Sequence, residues 1–213
     1  GYVKRHIAWL VACGVLAGCA SEPLPIDAPA SPTPSQNTTE PTSHGTDSPD
    51  SAEAHAAFYF ESGTLEIGDF DPYTLGDNIF DPCTEISPEE FAAAGFHNVE
   101  VFPEEYSGLL KGLQVCDVSK HNDVVSEAFG NNNANRENIE EQIPLLSQYK
   151  SSEVPEIYVF GPRNGMGSHC YAQIDTVRGG LVSQVTGSEN DHGQNRACEI
   201  AVRNLESIFE ANS

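Results

Sequence analysis

Four cysteines, Cys83, Cys116, Cys170 and Cys198, constrain this chain more than any other feature of its sequence. None belongs to a C-x-x-C pair, the usual mark of a zinc site built from four cysteines. An even set of well-separated cysteines in an exported domain reads as a disulfide framework. Three connectivities are open, and sequential pairing, Cys83 with Cys116 and Cys170 with Cys198, is the expectation. Each bridge then closes a loop of about thirty residues, worth about 3 kcal/mol in the chain-entropy picture. Disulfides require an oxidising compartment.

The N-terminus supplies a route to one. Lys4 and Arg5 form a basic segment, Ile7 to Leu16 an apolar run of ten residues, and Leu16-Ala17-Gly18-Cys19 closes it with small side chains. This is the pattern of an export signal, and it is too short for a spanning helix, which needs about twenty apolar residues. Leu-Ala-Gly-Cys resembles the bacterial lipoprotein signal. That resemblance implies cleavage before Cys19, a diacylglyceryl lipid on its sulfur, further acylation of the palmitate kind, and a cell membrane as the site of attachment. Residues 1–18 are therefore expected to be a signal peptide. Cys13 leaves with it and Cys19 is taken by lipid, which leaves the four cysteines above.

Residues 19–55 are rich in Pro, Ser, Thr and acids, as in Ala28-Pro29-Ala30-Ser31-Pro32-Thr33-Pro34, and hold too few large apolar residues to build a core. They read as a disordered tether with a reach of roughly 100 Å. Residues 56–213 form one expected globular domain, long enough for a well-buried core. The domain carries 26 acidic and 8 basic residues of a chain whose net charge is −22. Such a balance argues against nucleic acid, which needs clustered Lys and Arg, and reads first as solvated acidic faces, with cationic partners or divalent ions at the surface as the alternative.

Within the domain, Phe58 to Ile67 reads as a short strand pair around Ser62-Gly63. Ser87-Pro88-Glu89-Glu90 carries a helix start with a capping box, Ile86 and Phe91 stand at staple spacing, and Gly95 stops the helix. Leu113 to Ser119 and Val124 to Phe129 read as a hairpin that Asn131-Asn132-Asn133 breaks. Asn135 can cap a helix carrying Ile139, Ile143 and Leu146, with Pro144 bending or ending it. Ile157 to Phe160 is an apolar strand. Cys170 to Val177 and Leu181 to Thr186 form a hairpin about Gly179-Gly180. Finally Cys198, Ala201, Val202, Leu205, Ile208 and Phe209 make one apolar helical stripe. The expected fold is α+β, a mostly antiparallel sheet with helices packed on one face and two disulfides.

Asp81-Pro82-Cys83-Thr84-Glu85-Ile86, the Pro-Glu-Glu helix ending in Ala-Gly, Gln114-Val115-Cys116, Cys170 and Ala197-Cys198-Glu199-Ile200-Ala201 together resemble the uncharacterised DPC-motif lipoproteins of actinobacterial cell envelopes. The likeness spans roughly Phe80 to Phe209. Asp117-Val118 stands where the family often has an aromatic after the second cysteine. The resemblance implies location and fold, and brings no activity with it.

Candidate chemistry is sparse. His97, His121, His169 and His192 lack metal-ligand spacing and read as surface or hydrogen-bonded histidines. Asp69, Asp71, Asp77 and Asp81 lack the calcium-loop pattern and read as turn formers. The loop from Gly161 to Gly167 is the expected place for a ligand, through Arg163, Asn164 and Met166, because exposed loop residues beside a rigid sheet are where binding usually sits. It lies between strands, so it lacks the helix N-terminus of a phosphate cradle. No cofactor, metal or catalytic constellation is implied. The expectation is a lipid-anchored, non-enzymatic binding or accessory domain facing outward from the membrane, with an envelope ligand or a protein as partner. An enzyme acting on envelope material is the alternative.

Overall fold

In the computed structural model, residues 56–102, 114–118, 120–162, 167–188 and 193–213 are described. Cys19 and the expected signal (1–18) lie outside them, as does the whole of the expected tether (19–55). The described part is α+β, with six antiparallel strands in one sheet and two in another, and two disulfides pair sequentially.

The centre of the sheet is a hairpin of β7 (His169–Thr176) and β8 (Gly179–Gly187). Its turn is Val177-Arg178, two residues earlier than the Gly179-Gly180 pair suggests. The chain turns there because Gly179 adopts φ +101°, a conformation that costs glycine nothing, while both glycines are already paired as strand residues. Beyond β8 lie β5 (Val124–Asn132), β4 (Val115–Val118) and β3 (Val99–Val101), and β6 (Tyr158–Phe160) pairs with the other side of β7.

The asparagines of β5 do not break it. Asn131 and Asn132 pair with Leu181 and Gly180. Asn131 accepts a hydrogen bond from the Gln114 amide and donates one to Phe80, while Asn132 donates to Gln173. Both polar atoms of the Asn131 side chain and the Asn132 amide group are engaged by distant partners, and only the Asn132 oxygen makes a local turn, accepting from the Ala134 amide where β5 ends, so the ladder wins over local propensity up to that point.

Strand alternation divides the sheet. One face carries Cys116, Val118, Phe129, Val159, Cys170, Ala172, Ile174, Leu181 and Val185, all in the main core. Helix α4 (Gly193–Ala211) lies on this face over β7 and β8, burying Cys198, Ala201, Val202, Leu205 and Ile208. Each fully buried aliphatic or aromatic side chain contributes about 1.5–3 kcal/mol of transfer free energy. Asn212 finishes the helix by donating to Ile208 and accepting from Tyr59. At the other end Gly193 meets the backbone at Gly187 and Ser188 so closely that a Cβ on either glycine has no room.

The β1 (Ala57–Phe60) and β2 (Gly63–Glu66) hairpin closes the same core, with Phe58 stacked on Phe60 and edge-on to Phe209. Helix α1 (Pro82–Glu85) is a single turn whose N-cap Asp81 accepts from the Cys83 amide. Helix α2 (Pro88–Ala93) has its capping box formed, Ile86 and Phe91 both buried, and Gly95 at φ +88°. Helix α3 (Arg136–Gln142), capped by Asn135, ends before Pro144. It is shorter than the Ile139-Ile143-Leu146 spacing predicts, because Leu145 and Leu146 bond instead to Phe160 and Val159 of β6. Ile139 packs with Tyr158 and Phe160, which alternate with Val159 and so face away from the main core. One helix therefore covers an end of the second face of the sheet.

Candidate functional site

The expected ligand loop is not open to description: Arg163, Asn164 and Met166 lie outside the described residues. His192 also lies outside them, and the other three candidate histidines are tied into the fold or exposed. His169 Nδ1 stands 3.0 Å from Thr186 Oγ1, and His97 is exposed. Asp71 and Asp81 form turns and caps. The four cysteines are consumed as disulfides, with Cα–Cα distances of 5.6 Å and 5.0 Å.

His121 belongs to a buried polar cluster. The Glu127 carboxylate accepts from the Lys120 and His121 amides at 3.2 and 2.6 Å, sits 3.0 Å from His121 Nδ1, and accepts from Asn204 Nδ2 at 2.9 Å. Beside it, Lys120 Nζ donates to the Ala94 carbonyl and to Ser207 Oγ and lies 4.5 Å above the Phe96 ring. Burial pulls the lysine below its ordinary pKa, with Glu127 partly opposing. Each group here closes a loop or caps a helix, so the cluster holds the β4–β5 turn onto α4 and α2.

The second sheet face is different. Registers align one row of outward residues across all six strands: Glu100, Asp117, Ala128, Gln184, Tyr171 and Phe160. The next row holds Val115, Gly130, Val182, Gln173 and Tyr158. The two outward positions at the middle of β5 are thus Ala128 and Gly130, the smallest in their rows. Gly130, with Val115, Asn132, Val182, Gln184, Tyr171 and Phe160, lines a trough of about 230 Å³. A Cβ on Gly130 would come within 2.9 Å of the Gln114 carbonyl, so the floor cannot be raised there without moving β4.

One wall is aromatic. Tyr158, Phe160 and Tyr171 stack in sequence, with centroids 6.2 and 5.3 Å apart. Tyr158 donates to Asp175 at 2.7 Å, and burial, with that carboxylate, pushes its phenol far up. Burial raises Tyr171 as well. At the opposite end Asp117 is directly across from Glu100. Burial raises the Asp117 carboxyl above its ordinary value, and the Glu100 charge raises it further. Among the described residues, Asp117, Gln184 and the Tyr171 hydroxyl have no hydrogen-bond partner.

Two other clefts flank α3. One of about 400 Å³ runs from Arg136 past Tyr149 and Lys150 to β6, and one of about 320 Å³ lies between Asp69, Asn135, Arg136 and Asp175. Their polar groups are largely engaged. Arg136 lies over Tyr158 and meets Glu140, and Asp175 accepts from Arg136, Tyr158 and Gln173. In the trough Asn131 and Asn132 are engaged as well, while Gln184 and the Tyr171 hydroxyl are not.

Comparison with known protein families, curated proteins and solved structures finds no match to this chain. Function has to be argued from the site itself.

Proposed function

We propose that the protein is a lipid-anchored, extracytoplasmic binding domain of a bacterial cell envelope, and that the trough on the second sheet face is its binding surface. Cys19 holds it to the outer side of the membrane, and the DPC-motif resemblance and the two disulfides agree with that location. The observation that carries the binding reading is the trough, where the stacked Tyr171 and Phe160 rings, the bare backbone of Gly130 and the unpartnered Gln184 side chain and Tyr171 hydroxyl come together.

The test is retention on washed cells of a form secreted through an ordinary cleavable signal and lacking Cys19. The unchanged domain is expected to stay on the cells and Val182→Phe, which fills the trough, to wash off. Equal retention of the two refutes the assignment of the face. Incorporation of an alkyne fatty acid, lost in Cys19→Ser, tests the anchor.

A second reading, an enzyme acting on envelope material, is favoured by one observation: Glu100 and Asp117 stand directly opposite, and burial raises the Asp117 carboxyl above its ordinary value. Hydrolysis of envelope polysaccharide, abolished in Asp117→Asn, would select it.

A further inference from the structure

We propose that the trough on the second sheet face holds one sugar ring of an uncharged glycan, its C–H face against Tyr171 and its hydroxyls against Gln184 and the Tyr171 hydroxyl. The inference rests on the reading of the trough as the binding surface, and it names the class of ligand.

Charge narrows the class first. No described residue that lines the trough is charged, although the domain carries 26 acidic and 8 basic residues. A cationic ligand would leave its charge unpaired there. An anionic one would meet that cost and also the repulsion of the acidic domain. The ligand that fits is neutral.

Hydrogen bonding narrows it again. The side chains of Asn131 and Asn132 are engaged within the fold, whereas the Gln184 carboxamide and the Tyr171 hydroxyl have no partner among the described residues. An acyl chain would cover these groups without pairing them, which is how a polar site rejects an apolar ligand. A proline-rich segment offers carbonyls but few N–H groups, so the Gln184 oxygen would stay empty. A sugar hydroxyl donates and accepts at once and meets both ends of a carboxamide.

Shape completes the argument. The Tyr171 and Phe160 rings lie within 11° of parallel with centroids 5.3 Å apart, so Phe160 backs one face of Tyr171 and leaves the other to the trough. The weakly positive C–H bonds on one face of a pyranose suit the negative face of such a ring. Val115, Gly130 and Val182 form a row across three strands, about 10 Å wide, and about 7 Å along the strands from the row of Gln184 and Tyr171. At about 230 Å³ the trough is below the ~300 Å³ at which drug-sized pockets begin, and suits one ring with its substituents. Gly130, without a side chain, lets that ring approach the backbone.

The test takes the secreted form lacking Cys19 and measures its binding to isolated cell envelopes that are untreated, oxidised with periodate and then reduced with borohydride, digested with proteinase, or extracted with chloroform and methanol. Periodate cleaves the vicinal diols of sugars and is expected to weaken binding at least about tenfold. Binding to untreated envelopes should change less than about twofold between ~50 and ~500 mM salt, because the ligand is neutral. Val182→Phe, which fills the trough, should weaken binding at least about tenfold, and Gln184→Leu, which keeps bulk but removes the carboxamide, about three- to tenfold. Glu141→Gln on exposed α3 should change it less than about twofold. Binding that survives periodate would overturn the glycan; if Val182→Phe still abolishes it, the trough stands, and loss to proteinase or to solvent then names a protein or a lipid instead. A tenfold change with salt would overturn the neutral ligand. Undiminished binding by well-folded Val182→Phe and Gln184→Leu would overturn both the glycan and the trough, as would envelopes that retain none of the unchanged protein.

Discussion

Replacing Glu127 with alanine removes the acceptor that ties the β4–β5 turn to α4. The side chain is 1% exposed and takes four donors: the Lys120 and His121 amides, the His121 ring and the Asn204 amide. His121 retains some exposure and can turn to water. The two backbone amides and Asn204 lie deeper, and the Asn204 Oδ1 atom is already without a partner. Each buried donor left unsatisfied costs about 1–3 kcal/mol, and breaking a buried charged network about 3–5 kcal/mol, so Glu127→Ala should lose about 4 kcal/mol. For a domain of this size that lowers Tm by about 10 °C. Glu127→Gln keeps one oxygen for the backbone amides, and its new NH₂ can donate to the vacant Asn204 oxygen, so the loss should fall to about 1–2 kcal/mol. Guanidinium unfolding followed by circular dichroism, with the disulfides intact, measures both. A loss below about 1 kcal/mol for Glu127→Ala, or a larger loss for Glu127→Gln, refutes the reasoning.

Three further outcomes are expected. Burial raises the Glu85 carboxyl, but the paired Arg178 hydrogen bonds at 2.7 and 2.9 Å and the Asp81 amide outweigh it and hold it below the ordinary value of 4.5. A depressed carboxylate stabilises above that value and loses its contribution as pH falls through the lower folded pKa. The cost of Arg178→Met, about 1 kcal/mol for this partly exposed pair, should hold steady above pH ~5 and shrink below it; a cost that grows in acid contradicts this. Removing the Cys170–Cys198 bridge with paired alanines, which opens a loop of 28 residues, should cost about 3–4 kcal/mol, and unchanged melting would contradict it. Ser87→Ala, which breaks the α2 capping box, should cost about 1 kcal/mol by the same unfolding measurement.

Much of the fold was legible because its signals are local. The capping box at Ser87 and Glu90, the apolar stripe from Cys198 to Phe209 and the cysteine spacing each need only a few neighbouring residues to be read. Misreadings arose where distant partners changed a local preference. Asn131 and Asn132 stay in β5 because Phe80, Gln114 and Gln173 satisfy them, and α3 stops early because β6 takes Leu145 and Leu146. The candidate site was hidden for the same reason. Asp117, Ala128, Gln184 and Tyr171 come from four strands, and only the register brings them into one row. The signal present in sequence was the alternation Glu127-Ala128-Phe129-Gly130, large inward and small outward, which marks a depression on β5 without saying what surrounds it.

The account's central claim is that this open face meets the partner. A photoreactive amino acid at Gln184, beside the trough, compared on living cells with one at exposed Arg203 on α4, tests it most directly. Adducts from Gln184 that disappear with Val182→Phe, and none from Arg203, are the predicted result. Equal adducts from both positions, or adducts from Gln184 indifferent to a filled trough, would contradict it.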